Sequence, residues 1–212
     1  MKVYHFLKYQ YGLEAIRHNQ LKIAEINQLN DPFEFLAYRM EQNELVKRVQ
    51  NVKDKLSNHF GILCFSEKFN NPVQWAHYAE QHTGMCLGFE IPQELIHKIK
   101  YLKKRPPFPN FLNFDEKVMK KYLLKKFKHW EYEKEWRMYT ELDQSKQSGS
   151  LYFEKFSDTL ILREVILGIE RQDFSELVGY LSQDSTFINT KVYTTRLSKN
   201  NFKIVKDKNL EI

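Results

Sequence analysis

The chain has 212 residues, 42% hydrophobic and 15% aromatic, and its 33 Lys and Arg against 27 Asp and Glu give a net charge of +6. This composition fits a globular protein with its own core, which requires no disulfide staple, and it argues against a disordered chain. No stretch approaches the roughly 18–20 apolar residues that cross a bilayer, and the first residues carry no charged-then-apolar leader, so a cytoplasmic protein with no membrane partner is expected.

In chain order, Lys2 to Leu7 reads as a strand carrying His5, Tyr11 to His18 as a helix with Leu13 and Ile16 facing inward, and Leu21 to Ile26 as a second strand. Asn30-Asp31-Pro32-Phe33-Glu34 is a corner: Asx side chains cap backbone amides, and Pro32 keeps Asp31 out of the α region. From Glu41 to Phe60, the apolar positions Leu45, Val49, Val52, Leu56 and Phe60 recur at three and four, which predicts a helix with one buried stripe. Gly61 to Ser66 is a buried strand. Asn70-Asn71-Pro72 opens a helix that carries Trp75, His77, Tyr78 and His82 and breaks at Gly84. Met85, Leu87, Phe89 and Ile91 then alternate as a strand with Cys86, Gly88 and Glu90 opposite.

Cys64 and Cys86 sit in apolar runs, where a reduced thiol acts as a small hydrophobe. His77, His82 and Cys86 are one ligand short of a structural zinc site, so no metal is expected. Neither a phosphate-binding Gly-rich loop nor a Gly-x-Ser-x-Gly elbow is present.

Tyr101 to Phe114, with three prolines, reads as an irregular connection, and Asn113-Phe114-Asp115-Glu116 caps a helix running through Val118, Tyr122, Leu123 and Phe127 to Trp130. The positive charge gathers here. Lys98 to Lys128 holds eleven Lys or Arg against Asp115 and Glu116, a net of +9, which leaves −3 for the remainder. Such a block is either a solvated face or a surface for a polyanion, with Lys120, Lys121, Lys125, Lys126 and Lys128 as phosphate contacts.

Next comes the densest stretch, His129-Trp130-Glu131-Tyr132-Glu133-Lys134-Glu135-Trp136-Arg137. Extended from Glu133 onward, it puts Glu133, Glu135, Arg137 and Tyr139 on one face, and two like carboxylates at that spacing repel unless a cation sits between them. Read as a helix, it pairs Glu133 with Arg137 at i,i+4 as a solvated ion pair. A polar turn over Gln144 to Ser150 leads to strands at Leu151 to Phe156 and Val165 to Ile169, a helix at Phe174 to Leu181, and strands at Phe187 to Arg196 and Phe202 to Lys206. With no internal repeat and no long linker, one α+β domain over residues 1–212 is expected.

Asn30-Asp31-Pro32-Phe33-Glu34, Cys64-Phe65-Ser66, Trp75-Ala76-His77-Tyr78-Ala79, Gly84-Met85-Cys86-Leu87-Gly88-Phe89 and Trp130 to Arg137 together resemble a widespread bacterial family known only as a domain of unknown function. More distantly, the order His5, Ser66, Glu133-x-Glu135 is similar to that of the histidine-type ADP-ribosyltransferases. That resemblance implies two small, mostly antiparallel sheets forming a split sandwich with flanking helices, and NAD as substrate in the cleft. His5 would hold a ribose hydroxyl, Ser66 or Tyr78 would help frame the nicotinamide with Trp75 and His77 nearby, and Glu135, with Glu133 and Arg137, would serve the reacting ribose.

A fixed carboxylate suits this chemistry, because breaking the nicotinamide–ribose bond builds positive charge on the sugar. The leading expectation is therefore an NAD-using ADP-ribosyltransferase or NAD-cleaving enzyme. It would act as a toxin or phage-defence effector on a nucleotide, protein or nucleic-acid acceptor, with a cognate antitoxin as partner. The alternatives are a nucleic-acid-directed protein, either an RNA or DNA binder or a metal-independent ribonuclease using His77 or His129 with Arg137 and Lys126 on phosphate, and a non-catalytic ligand-sensing or interaction domain.

Overall fold

The computed structural model is a mixed α/β chain in which all residues are described except 35, 109–117, 119–121, 170, 172 and 211–212. Its strands run β1 (Lys2–Leu7), β2 (Gln20–Lys22), β3 (Ala24–Glu25), β4 (Phe60–Ser66), β5 (Met85–Glu90), β6 (Ile96–Lys98) and β7 (Lys100–Leu102). The series continues with β8 (Lys125–Phe127), β9 (Glu135–Glu141), β10 (Gln147–Ser148), β11 (Leu151–Lys155), β12 (Ile161–Leu167), β13 (Lys191–Leu197) and β14 (Ile204–Leu210). Its helices include α1 (Tyr9–Arg17), α2 (Asn43–Ser57), α3 (Pro72–Tyr78) and α4 (Ser175–Gln183). The chain divides into two compact units. Met1–Leu21, Phe65–Glu94 and Glu154–Ile212 form the first, and Lys22–Cys64 and Leu95–Phe153 the second.

In the first unit, β1 pairs antiparallel with β5 along its whole length, from Lys2 opposite Glu90 to Leu7 opposite Met85, and with the end of β4 where Tyr4 faces Ser66. Beyond β5 come β12, antiparallel, then β13, parallel, then β14, antiparallel. The alternation in β5 predicts one buried face, yet Met85, Cys86, Leu87 and Phe89 are all fully buried. Trp75, Ala79, Ile166 and Ile204 cover the Cys86 side, and Phe65 and Phe156 pack against Phe89 on the other. A sheet covered on both sides makes a continuous apolar run the natural pattern.

Helix α3 starts as expected, with Asn71 accepting the Val73 N–H and Pro72 in the first turn. It ends at Tyr78, however, and does not run on through His82. Glu80, Gln81 and His82 follow in left-handed backbone with φ of 49°, 51° and 73°, and the Gly84 N–H donates to the Ala79 carbonyl at 2.9 Å. Gly84 is required by close approach, since a Cβ there would lie 2.3 Å from the Leu7 carbonyl oxygen and 2.8 Å from the Ala79 carbonyl carbon.

The second unit has β9 between β4 and β6, with β3 also on β4. Helix α2 lays its predicted stripe on the core: Val49 and Leu56 are buried with Ile26, Ile62, Tyr122 and Leu123, and Leu45 and Val52 pack around them. The helix expected to run to Trp130 does not persist. Lys125–Phe127 instead pairs parallel with Lys100–Leu102, Lys128–Glu133 is a 3₁₀ turn, and Lys134 is left-handed at φ 46°. Strand β9 therefore begins at Glu135, and Glu133 stands just outside it. The expected cap at 113–116 lies outside the described residues.

Adding a methyl group at Gly84 forces two backbone segments apart. Gly84→Ala is expected to lower stability by about 1–3 kcal/mol, read as a shift of the urea unfolding midpoint.

Candidate functional site

The centre of the second unit is a buried cluster of charge. Arg137, on β9, is 1% exposed. Its Nε donates to Glu135 Oε1 at 2.6 Å, Nη1 donates to Glu34 Oε2 at 3.0 Å and to the Leu123 carbonyl at 2.7 Å, and Nη2 donates to Glu34 Oε1 and to Glu135 Oε2 at 3.2 Å. A guanidinium has five N–H donors, and here all five are used. The pairing with Glu34 is bidentate, the geometry that suits arginine to a buried carboxylate.

Glu34 reaches Arg137 because the Asn30-Asp31-Pro32 corner turns it inward. Asp31 Oδ1 accepts the Phe33 N–H at 2.9 Å and the Asp31 carbonyl accepts the Glu34 N–H at 3.0 Å. As a result Phe33 is half-exposed while its neighbour Glu34 is buried.

The cation between the two like carboxylates is Lys126 of β8. Its Nζ donates to Glu133 Oε2 at 2.6 Å and to Glu135 Oε2 at 3.1 Å, and it lies 4.8 Å from the centroid of the Trp130 ring. Neither reading of the stretch around Arg137 places Lys126 there, and the i,i+4 pair of Glu133 with Arg137 does not form. The Glu135 N–H donates to the Tyr101 hydroxyl at 2.8 Å, which closes the group.

Burial alone would raise the Glu135 pKa, but the Arg137 guanidinium and the Lys126 ammonium outweigh it and hold the carboxyl down to about 2. Burial likewise would lower Lys126 and Arg137, and the carboxylates around each raise both instead. Burial, reinforced by Glu135, pushes the Cys64 thiol well up, so it is a neutral packing group at neutral pH. Glu133, Glu135 and Arg137 are thus brought together, but as mutually neutralising partners, each at most 6% exposed.

Beside this cluster lies a cavity of about 330 Å³. Lys103, Lys104, Arg105, Lys125 and Lys126 line it, with Phe33, Phe127, Leu36 and Leu102 as its apolar walls, and no acidic side chain among the described residues lines it. The Arg105 guanidinium sits 6.0 Å from the centroid of the Phe33 ring, and the Lys125 ammonium 5.0 Å from that of Tyr38. Sequence reasoning singled out Lys125 and Lys126. It missed Lys103, Lys104, Arg105 and Phe33, although the basic block and the Asn-Asp-Pro corner both marked them. Lys128 is paired with Glu131 at 3.5 Å, and Lys120 and Lys121 lie outside the described residues.

In the first unit, His5 and Ser66 do not meet. Ser66 lies opposite Tyr4 and shares its face of the sheet, whereas His5, one residue on, points to the other face and packs its ring 5.8 Å from Phe65. Ser66 is buried, its hydroxyl donating to the Lys68 carbonyl at 2.9 Å and lying 3.2 Å from Gln74 Oε1. Trp75 is fully buried, its indole N–H donating to the Phe69 carbonyl and its ring edge-on to Phe6 at 5.4 Å. His77 is exposed and Tyr78 half-buried, their rings 6.0 Å apart.

Among the described residues no group of three or more His, Cys, Asp or Glu is placed to hold a metal, and no helix is long and apolar enough to cross a membrane. No family model, curated protein or solved structure matches the chain.

Removing one partner from a buried ion cluster leaves the others uncompensated. Arg137→Met is expected to destabilise by about 3–5 kcal/mol in urea unfolding. The pH dependence follows from the shifts. Stability drawn from Glu135 is present above pH 4.5 and is lost as pH falls from there toward 2, while that from Lys126 is present below pH 10.5 and is lost only above it. Unfolding midpoints should be flat through neutral pH and fall on the acid side, with a shallower acid fall in Glu135→Gln.

Proposed function

We propose that the second unit binds a phosphate-bearing ligand, a nucleic-acid strand or nucleotide, in the cavity beside Lys103, Lys104, Arg105 and Lys125. The observation that carries this reading is the sign of the lining: five cationic residues, aromatic walls and no carboxylate among the described residues. Lys126 contributes its stem more than its charge, since its ammonium is already committed to Glu133 and Glu135. The cavity's field rests most on Lys103, Lys104 and Arg105, which are consecutive in sequence. Cationic clefts of this kind gather polyanions and hold them by releasing condensed counterions.

The NAD-cleaving reading draws on the mixed α/β character, the mostly antiparallel pairing and the first-strand His5. It asks more of the side chains. Glu135 would have to surrender a guanidinium and an ammonium before facing a ribose, and Arg137 has no donor left for a phosphate. His5 and Ser66 would have to act from opposite faces of one sheet. A binding function needs none of these groups to change partners, and it is the reading the geometry favours.

Affinity for a labelled single-stranded oligonucleotide should fall steeply with salt, and Lys103→Gln, Arg105→Gln or Lys125→Gln should each weaken binding and lower the log–log salt slope by roughly one. Salt-independent binding, or slopes untouched by all three substitutions, would overturn the proposal. In parallel, incubation with NAD is expected to release no nicotinamide, and release abolished by Glu135→Gln would restore the enzymatic reading.

A further inference from the structure

The walls of the same cavity carry information that its charge does not. Resting on the phosphate-binding reading, we infer that the cavity takes an unstacked nucleobase next to its phosphate, seated on the ring of Phe33, and therefore binds a single strand or a free nucleotide in preference to a duplex.

Phe33 is 52% exposed and Phe127 41% exposed, and both line the cavity. Phe33, left this open on a concave wall, offers a π-face to a ligand, whereas Phe127 already packs against the His129 ring at 4.4 Å and serves more as a side wall. Phe33 is also held in place. Its N–H is capped by Asp31 Oδ1, and the next residue, Glu34, is clamped by the buried guanidinium of Arg137. The ring is thus presented on an anchored turn, with little ordering left to do on binding. Arg105 donates from Nε to the Tyr38 carbonyl at 3.0 Å and holds its guanidinium carbon over this ring, 6.0 Å from the centroid, which sets a cation beside the surface on which a base would stack and within the reach of that nucleotide's phosphate.

The cavity's volume is at the lower end for small-molecule sites, a fit for one base with its sugar. A duplex keeps its base faces covered and offers mainly phosphates, which leaves a half-exposed phenylalanine nothing to stack on. Stacking on an aromatic side chain changes affinity by about 5- to 150-fold per base.

The test is fluorescence anisotropy on the full chain with three labelled probes: a single strand of about ten nucleotides, the matching duplex, and a strand of the same length built of abasic sugars. The intact strand should bind at least about 5-fold more tightly than either of the others. In Phe33→Leu the ratio of intact to abasic affinity should collapse toward one, and Phe127→Leu should reduce it. The urea midpoint of each variant controls for folding. Competition with a mononucleotide identifies the source of the base, since equal affinity assigns free nucleotide and weaker affinity assigns a strand. Equal binding of intact and abasic strands by the unaltered protein would overturn the inference while leaving the phosphate-binding proposal in place. Failure of all three probes and of a labelled mononucleotide to bind would remove both.

Discussion

A guanidinium withdrawn from water has to find a partner for every N–H, and Arg137 dictates the interior of the second unit on that account. Its five donors draw in Glu135 from its own strand, Glu34 from a corner 103 residues away and the carbonyl of Leu123. Glu135 in turn requires Lys126, and Lys126 requires Glu133. Ion clusters of this kind add little net stability over an apolar core of equal volume, because desolvation consumes most of the Coulombic gain. What they do is penalise every arrangement in which one member is missing. Such a cluster is well suited to fixing a segment that has few apolar residues of its own, as the three-residue strand at Lys125 does.

The cavity depends on the same constraint. Phe33 and Glu34 are neighbours in one turn, so the contact that buries the carboxylate also sets the ring on the cavity wall. Lys126 is held inward on β8, flanked by Lys125 and Phe127, and those two residues line the cavity with it. The cluster is therefore the scaffold, and the cavity beside it is the surface available to a ligand. This division of labour also accounts for the crowding of acid and base around Arg137, since a dense set of charges can be structural when each is answered in full.

The first unit is organised by packing. Its sheet is covered on both faces, and Trp75, Cys86 and Phe89 are core residues whatever pattern surrounds them. Residues that look chemical in sequence, such as Ser66 and Trp75, spend their polar atoms on nearby carbonyls and on Gln74. Adjacent positions in paired strands separate His5 from Ser66 as surely as distance would.

Local physics made much of this legible from the residues in order. The stripe of α2, the Asn71 cap of α3, the strand over Lys2–Leu7 and the corner at Asp31-Pro32 all arise from interactions within a few residues, so their signals are complete in one dimension. The requirement for a cation between Glu133 and Glu135 was equally plain, because repulsion between like charges needs only their spacing. Which cation answers it was not. Lys126 sits in a run of helix-compatible residues, and only its pairing beside β7 and its descent into the cluster make that run a strand. One partner of Arg137 is likewise a glutamate 103 residues away in the chain, and no local period connects the two. Long-range ion pairing and sheet register are set by the chain's return on itself, and they decided which of its charges are internal supports and which line the cavity.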